Sequence, residues 1–330
     1  MQPLNLLTSF LYASNASALS DPRIVHEFPN PTWLENIAAT RNGSLLTGVL
    51  GATAALHLID PFASAPPTAN TTYGNKGQVD TLIHTFENAD SVFGISELSP
   101  DVFAVATGYY SATTGPTQGS SSLWTVDLAP LSSALPPTVR KIADLKDAKV
   151  VNGIAALNAN TVLLADSFGG TVLSVDVTTG EARVVSEDAS LAPDFNASLP
   201  IGVNGMKVVG GYLYYTNTQT GVFRVRVDAL SGVPTSSYER LATIDTADDV
   251  AVTDDGTVFV ARPFAGLVER LNRDGSVAVA GDGGVLGGVT GVTLGRTWRD
   301  RNVVYACSFG GYTEDMKAHR SGGRIVAFEM

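Results

Sequence analysis

Six short segments of this chain can be laid on one another, and that self-similarity constrains the fold more than any other feature. They are Leu34-Glu35-Asn36-Ile37, Val92-Phe93-Gly94-Ile95, Val151-Asn152-Gly153-Ile154, Val203-Asn204-Gly205-Met206, Ala247-Asp248-Asp249-Val250 and Val289-Thr290-Gly291-Val292. Their second residues are 58, 59, 52, 44 and 42 positions apart. Periods of roughly 40–50 residues belong to propeller blades, with insertions lengthening the first two.

After each tetrad comes a turn and an apolar run: Ser44 to Leu50, Val102 to Thr107, Thr161 to Asp166, Tyr212 to Asn217, Thr257 to Arg262 and Val303 to Ser308. Third strands follow at Ala54 to Asp60, Ser122 to Asp127, Thr171 to Asp176, Gly221 to Asp228, Gly266 to Asn272 and Gly323 to Glu329. Fourth strands fit five repeats, at Thr81 to Phe86, Val139 to Leu145, Ala182 to Ser186, Glu239 to Ile244 and Ser276 to Ala280. The sixth repeat runs out at Met330, but Ile24 to Phe28 supplies a strand ahead of the first tetrad. Pairing it with the C-terminal repeat closes the ring and removes exposed sheet edges. No segment carries a long 3.6-residue apolar period, so helix content is expected to be low. The reading is all-β: a six-bladed β-propeller over 21–330, closed by strand 24–28. Residues 1–20 stand apart as an N-terminal segment, one reading being the remnant of a targeting sequence.

Composition agrees. A charged share of 16% and 33 glycines in 330 residues suit a large core of short strands and tight turns. The net charge of −11 repels polyanions, which excludes nucleic acid and anionic membrane surfaces as natural partners. No apolar run approaches the ~18 residues of a membrane span. Cys307 is the single cysteine, so neither a disulfide within the chain nor a cysteine zinc cluster can form. Asn-x-Ser/Thr sequons at Asn15, Asn42, Asn70 and Asn196 leave secretory and cytoplasmic histories both open, and oligomeric state is not legible.

The tetrad column has a physical logic. Its third position reads Asn, Gly, Gly, Gly, Asp, Gly, the residues that best tolerate positive φ, so one repeated backbone geometry is expected there. The fourth position, always Ile, Met or Val, should face the packed sheets. The second then faces the central channel: Glu35, Phe93, Asn152, Asn204, Asp248 and Thr290. Five of these carry side-chain oxygen, a set suited to a hard cation such as Ca²⁺ and unsuited to soft metals. The alternative is a polar channel whose side chains bond loops and water.

Val151-Asn152-Gly153-Ile154 followed by Leu164-Ala165-Asp166-Ser167 resembles the Pro-Asn-Gly-Leu and Ala-Asp-Ser segments of the senescence-marker-protein, gluconolactonase and luciferin-regenerating-enzyme family of six-bladed propellers. The resemblance covers about residues 24–330. It implies a divalent cation on Glu35, Asn204 and Asp248, with Asn152 as an auxiliary group. Leu34-Glu35-Asn36-Ile37-Ala38 and Gly202-Val203-Asn204-Gly205-Met206-Lys207 look most like a fungal secondary-metabolism branch that includes hetero-Diels–Alderases. That branch uses the same propeller without hydrolysis. Phe93, at a ring position where a sugar-acid lactonase would want polarity, leans toward a bulky apolar substrate.

A second ring is expected at the ends of the second strands: Thr47, Thr107, Asp166, Asn217, Arg262 and Ser308. Nearby loops offer Tyr109, Tyr110, Phe168, Phe264, Phe309 and Tyr312 as an apolar wall. Arg262 is expected as a cation near the axis, either anchoring a substrate oxygen or paired with Asp248 or Asp166. Other motifs fall away. There is no Gly-x-Ser-x-Gly elbow, and Gly281-Asp282-Gly283-Gly284 lacks the lysine and helix of a phosphate loop. His26, His57, His84 and His319 fall on outer strands or loops, and Cys307 lies inside an apolar strand. Pro66-Pro67 to Gly77 and Thr113 to Ser122 are insertions, either disordered or lids over one channel mouth.

Three readings follow. In the first, a cyclase holds an apolar polyene and a quinone-methide-type partner as a near-attack pair and needs no cofactor. Asn152, Asn204 and Arg262 donate hydrogen bonds, and Glu35 or Asp248 assists loss of water. Phe93, Tyr109, Phe168 and Phe309 bury the hydrocarbon, with Asp166, Asn217, Thr290 and Ser308 as polar contacts. In the second, a metal-dependent lactonase uses a cation on Glu35, Asn204 and Asp248. The third is a binding propeller without chemistry.

Overall fold

Six antiparallel sheets of four strands each form a propeller ring. The computed structural model describes residues 22–63, 79–111, 113–313 and 318–330. The 1–20 segment and the Pro66-Pro67 to Gly77 insertion lie outside the described residues. Innermost strands run Leu34–Ala39, Ser91–Ser99, Val151–Asn158, Val203–Val209, Val250–Val252 and Val289–Leu294, opening blades 1 to 6. Arg23–Glu27 pairs antiparallel with Arg324–Glu329 and completes blade 6, so the ring closes as the sequence indicates. Apart from these sheets the described residues hold a small hairpin, Tyr110–Ser111 with Gly115–Pro116, and two short 3₁₀ turns.

Alternating side chains bury one face of each sheet against the next blade. The result is six apolar layers, one between each pair of neighbouring blades. Every fourth-position residue sits in such a layer: Ile37, Ile95, Ile154, Met206, Val250 and Val292 are all buried. Burying one such side chain stabilises by about 1.5–3 kcal/mol. The layer between blades 6 and 1 carries Leu34 and Ile37 against Tyr305 and Ile325, so the ring-closing seam is packed like the others.

The third tetrad position corrects the sequence expectation. Asn36 alone has positive φ, 63°, among these six residues. The glycines are required by crowding instead. A Cβ on Gly94 would stand 2.5 Å from the Asn152 carbonyl oxygen, and one on Gly205 2.8 Å from that of Asp248. One on Gly291 would stand 2.9 Å from the Asn36 Cα. Each position falls at an irregularity of its own blade, as between Val92 and Gly94 or Val151 and Ile154. These bulges push the backbone toward the neighbouring innermost strand, where no side chain fits. Blades 1 and 5 use the position differently. The Asn36 Oδ1 accepts the Ile95 N–H at 3.2 Å, and the Asp249 Oδ2 accepts the Val292 N–H at 3.4 Å, so each side chain ties its blade to the next.

Candidate functional site

All six second-position side chains open into one cavity of about 580 Å³. Glu35, Asn152, Asn204, Asp248 and Thr290 supply its polar groups, and Phe93 stands among them. The geometry follows from the bulge, which rotates the second residue toward the axis while the fourth turns into the sheet packing.

The walls come from loops of all six blades. Trp33 packs on Phe309 with ring centroids 4.4 Å apart, and Phe309 on Tyr312 at 5.0 Å. Tyr110 lies 5.7 Å from Trp33, on a hairpin that lines the cavity, and burial pushes its phenol up to about 12. Thr114, Gly115, Pro116 and Gln118 of the Thr113 to Ser122 insertion line the cavity, so this insertion is a structured flap. Asp90 anchors it by accepting the Tyr110 N–H at 2.8 Å. Phe168, Phe264 and the run Leu199-Pro200-Ile201 complete the apolar surface.

No Lys, Arg or His is among the cavity-lining residues described. Two carboxyls therefore face an apolar-walled pocket with no counter-charge among its described lining residues. Burial raises Glu35 well above the ordinary carboxyl range, the charge of Asp248 adds to this, and a 3.4 Å hydrogen bond from the Trp33 indole opposes it. Asp248 is raised by burial and then by the charge of Asp249, with a hydrogen bond from Asn204 opposing. Behind them, Asp249 is raised by burial against the pull of Lys207, whose Nζ stands 3.6 Å away. Burial and a neighbouring negative charge both favour the protonated form of a carboxyl. The Asn204 amide also donates to Thr218 at 3.0 Å. As a donor set for a hard cation the floor offers two carboxylates, two amides and a hydroxyl, which suit Ca²⁺ chemically. No group of three or more His, Cys, Asp and Glu gathers into a metal-binding arrangement among the described residues.

The second ring is displaced by one residue from its expected register. Ser167, Thr218, Pro263 and Phe309 face the cavity, where Asp166, Asn217, Arg262 and Ser308 were expected to point inward. A strand alternates faces at every residue, so a slip of one turns each side chain away. Asp166 accepts the backbone N–H groups of Lys149, Val150 and Gly169 at 2.8–2.9 Å. Asn217 donates to the carbonyls of Ser190 and Ala192, both at 3.0 Å. Arg262 pairs with Asp245 and, at 2.7 Å, with Glu269, so its partners are neither Asp248 nor Asp166. Ser308 is fully buried in its strand, and its hydroxyl has no hydrogen-bond partner among the described residues. Thr47 and Thr107 bond within their own blades, to the Asn36 carbonyl and from the Trp124 indole. Tyr109 points away from the cavity, 40% exposed, and its neighbour Tyr110 takes the inward place. His319, expected on an outer strand or loop, packs edge-on against the cavity-wall residue Tyr312 at 5.3 Å and meets the Phe309 carbonyl at 2.9 Å through Nδ1.

Sequence reading missed Trp33, Val150 and Thr246, all of which line the cavity. Each lies two residues before a second-position residue, in the loop that leads into the innermost strand. That signal was present.

No family model matches the chain. In sequence it is 26% identical over 333 residues to "Putative hetero-Diels-Alderase asR5" of Sarocladium schorii, covering 89% of this chain and 80% of that protein. It is 24% identical over 311 residues to a "Putative hetero-Diels-Alderase" of a Phoma species, covering 86% and 85%. In structure it is similar to the calcium-binding protein regucalcin of Agrobacterium tumefaciens, with TM-score 0.61, 16% identity and coverage of 93% and 92%. It is also similar to a luciferin-regenerating enzyme, with TM-score 0.62, 13% identity and coverage of 94% and 95%. The chain is thus a six-bladed β-propeller with the fold of regucalcin and the luciferin-regenerating enzyme, related in sequence to proteins named as hetero-Diels–Alderases.

Proposed function

We propose that this protein is a secondary-metabolism enzyme that joins a neutral apolar polyene to a quinone-methide-type partner by hetero-Diels–Alder cyclisation. The observation that carries the reading is an aromatic cavity whose floor bears two carboxyls, both shifted upward by burial, and whose described lining holds no cationic side chain. The two relatives named above support it.

A cycloaddition needs its reactants held as a near-attack pair more than it needs a nucleophile. Phe93, Phe168, Phe309 and Trp33 offer the hydrocarbon a surface that excludes water. The partner forms when an ortho-hydroxybenzyl-type alcohol loses water. Of the Glu35 and Asp248 pair, the protonated member gives its proton to the departing hydroxyl as the carbon–oxygen bond breaks. The ionised member takes the ring-hydroxyl proton, and the two groups return to their starting charges once a proton passes between them. The heterodiene then adds across an alkene, forming one carbon–carbon and one carbon–oxygen bond with no proton exchanged. Asn152 and Asn204 donate hydrogen bonds to the oxygen whose charge changes.

The test is turnover of a neutral polyene with such an alcohol by purified protein in excess chelator. Cycloadduct formed by wild-type protein, and lost in the Glu35→Gln/Asp248→Asn double variant, is expected. No adduct, or equal adduct from the double variant, overturns the reading.

A second reading rests on the oxygen-rich floor. Glu35, Asp248 and Asn204 would hold a divalent cation, with Asn152 beside it, and the cation would supply Lewis-acid polarisation of a lactone carbonyl. Lactone hydrolysis that disappears with chelation and returns with Ca²⁺ would favour it over the cyclase.

A further inference from the structure

We propose that Gln219, outside the cavity lining, is a specificity-determining positioning residue that holds the Leu199-Pro200-Ile201 wall in place and so sets the size of apolar ligand the cavity accepts. This rests on the reading of the cavity as the substrate site.

The loop between blades 3 and 4, residues 188–202, is built in two tiers. Its root is packed. Leu191 is fully buried, Asn217 donates to Ser190 and Ala192, and two glycines leave room for the chain to pass. A Cβ on Gly170 would stand 2.8 Å from the Ala192 Cα, and one on Gly202 2.7 Å from the Pro193 nitrogen. The distal tier, residues 194–201, has no such anchoring. Its internal bonds are local: Asp194 accepts from Asn196, Ala197 bonds back to Asp194, and Ile201 to Leu199.

Among the described residues, Gln219 is the one side chain outside the loop that hydrogen-bonds to this tier. Its Oε1 accepts the Asp194 N–H at 2.6 Å, and its Nε2 donates to the carbonyls of Asp194 and Leu199, both at 3.0 Å. The amide thus reads Asp194 on both sides, as a neighbouring strand would, and grips the chain at the residue that enters the cavity wall. Gln219 is itself fixed, since its own N–H is accepted by the Asn217 side chain at 3.0 Å. The same two residues, Asn217 and Gln219, therefore secure both tiers from one turn. Phe195, at the loop's outer edge, is 62% exposed, and the Lys149 ammonium 5.9 Å from its ring centre is a weak, exposed contact beside the three hydrogen bonds of Gln219.

The experiment compares wild-type protein with Gln219→Leu and Gln219→Glu, using Nile red as a large neutral probe and 1-aminonaphthalene as a small one. Both variants lose the donations to Asp194 and Leu199, and Gln219→Glu does so at unchanged length. Losing these bonds should weaken Nile red binding about tenfold. Binding of 1-aminonaphthalene should stay within about twofold, and amide exchange across 194–201 should accelerate. Unchanged Nile red affinity in both variants overturns the role of Gln219 and leaves the cavity reading standing. Equal weakening of both probes shows a merely structural role and also overturns it. Failure of wild-type protein to bind Nile red overturns the apolar-site reading itself, and this proposal with it.

Discussion

Gly153→Ala is the substitution that most sharply separates crowding from backbone conformation as the reason for the tetrad glycines. The added Cβ would stand 2.9 Å from both the Asn204 carbonyl carbon and the Gly205 Cα, and nearer still to the Asn204 oxygen. Ordinary Cβ contact begins near 3.4 Å, so the innermost strands of blades 3 and 4 must part by at least half an ångström. All the atoms in the way are backbone, and the apolar layer behind them is filled by Ala155, Val203 and Met206. Overpacking typically costs about 1–3 kcal/mol, and with no flexible side chain to yield we expect about 3 kcal/mol or more. The φ of Gly153 lies outside the left-handed region, so without the clash alanine would stabilise by about 0.4–1 kcal/mol through the unfolded chain. The two accounts differ in sign. Gly210→Ala is the control: φ is 60° and nothing lies within 4 Å of the new Cβ, so the cost should be about 1–2 kcal/mol of backbone strain alone. Urea unfolding followed by tryptophan fluorescence measures both. Gly153→Ala should also weaken ligand binding, because Asn152 and Asn204 flank the clash. A Gly153→Ala protein as stable as wild type, or more so, would refute the reasoning.

Other outcomes follow from the same geometry. The carboxyls of Glu35 and Asp248 keep protons in the folded chain at pH values where unfolded carboxyls, near 4, have lost them. This stability is therefore full at and below that value and is lost as pH rises toward the folded values, at about 1.4 kcal/mol per pH unit for each such group. Asp248→Asn should flatten the slope of urea-derived stability against pH, and an unchanged slope would show that Asp248 holds no extra proton in the folded chain. Arg262→Met should leave ligand affinity intact while costing about 1–3 kcal/mol, because it strands the mostly buried Glu269; loss of binding at full stability would return Arg262 to the site. Trp33→Phe removes the indole bond to Glu35 but keeps the ring, so any pH optimum set by Glu35 should move upward. An optimum that stays put would remove Trp33 from the acid's environment.

Much of the architecture was legible because it repeats. Six tetrads fixed the blade count, the fourth-position apolar residues fixed the packing face, and the strand at 24–28 fixed the closure. The first ring of the site followed from the same column, since every second-position residue reaches the cavity. What failed was local register. Strand ends were placed correctly, yet a cavity-facing residue lies one position beyond the end, which exchanged Asp166 for Ser167 and Arg262 for Pro263. Polar side chains at strand ends look like site residues in sequence, whereas here they bond to turns. The glycine column misled for a related reason. Composition reports that a Cβ is not tolerated, but it does not say whether the obstacle is torsional or a neighbouring blade 52 residues away in sequence, as between Asn152 and Asn204. The role of the Thr113 to Ser122 insertion depended on how its hairpin packs into the cavity wall, which no periodicity records.

The account stands most directly on a crystal structure of the protein with a neutral polyene or its cycloadduct bound. The prediction is a ligand against Phe93, Phe168 and Phe309, with one of its oxygens within hydrogen-bond reach of Glu35 or Asp248. A ligand seated elsewhere on the propeller, or one whose oxygens lie far from both carboxyls, would contradict it.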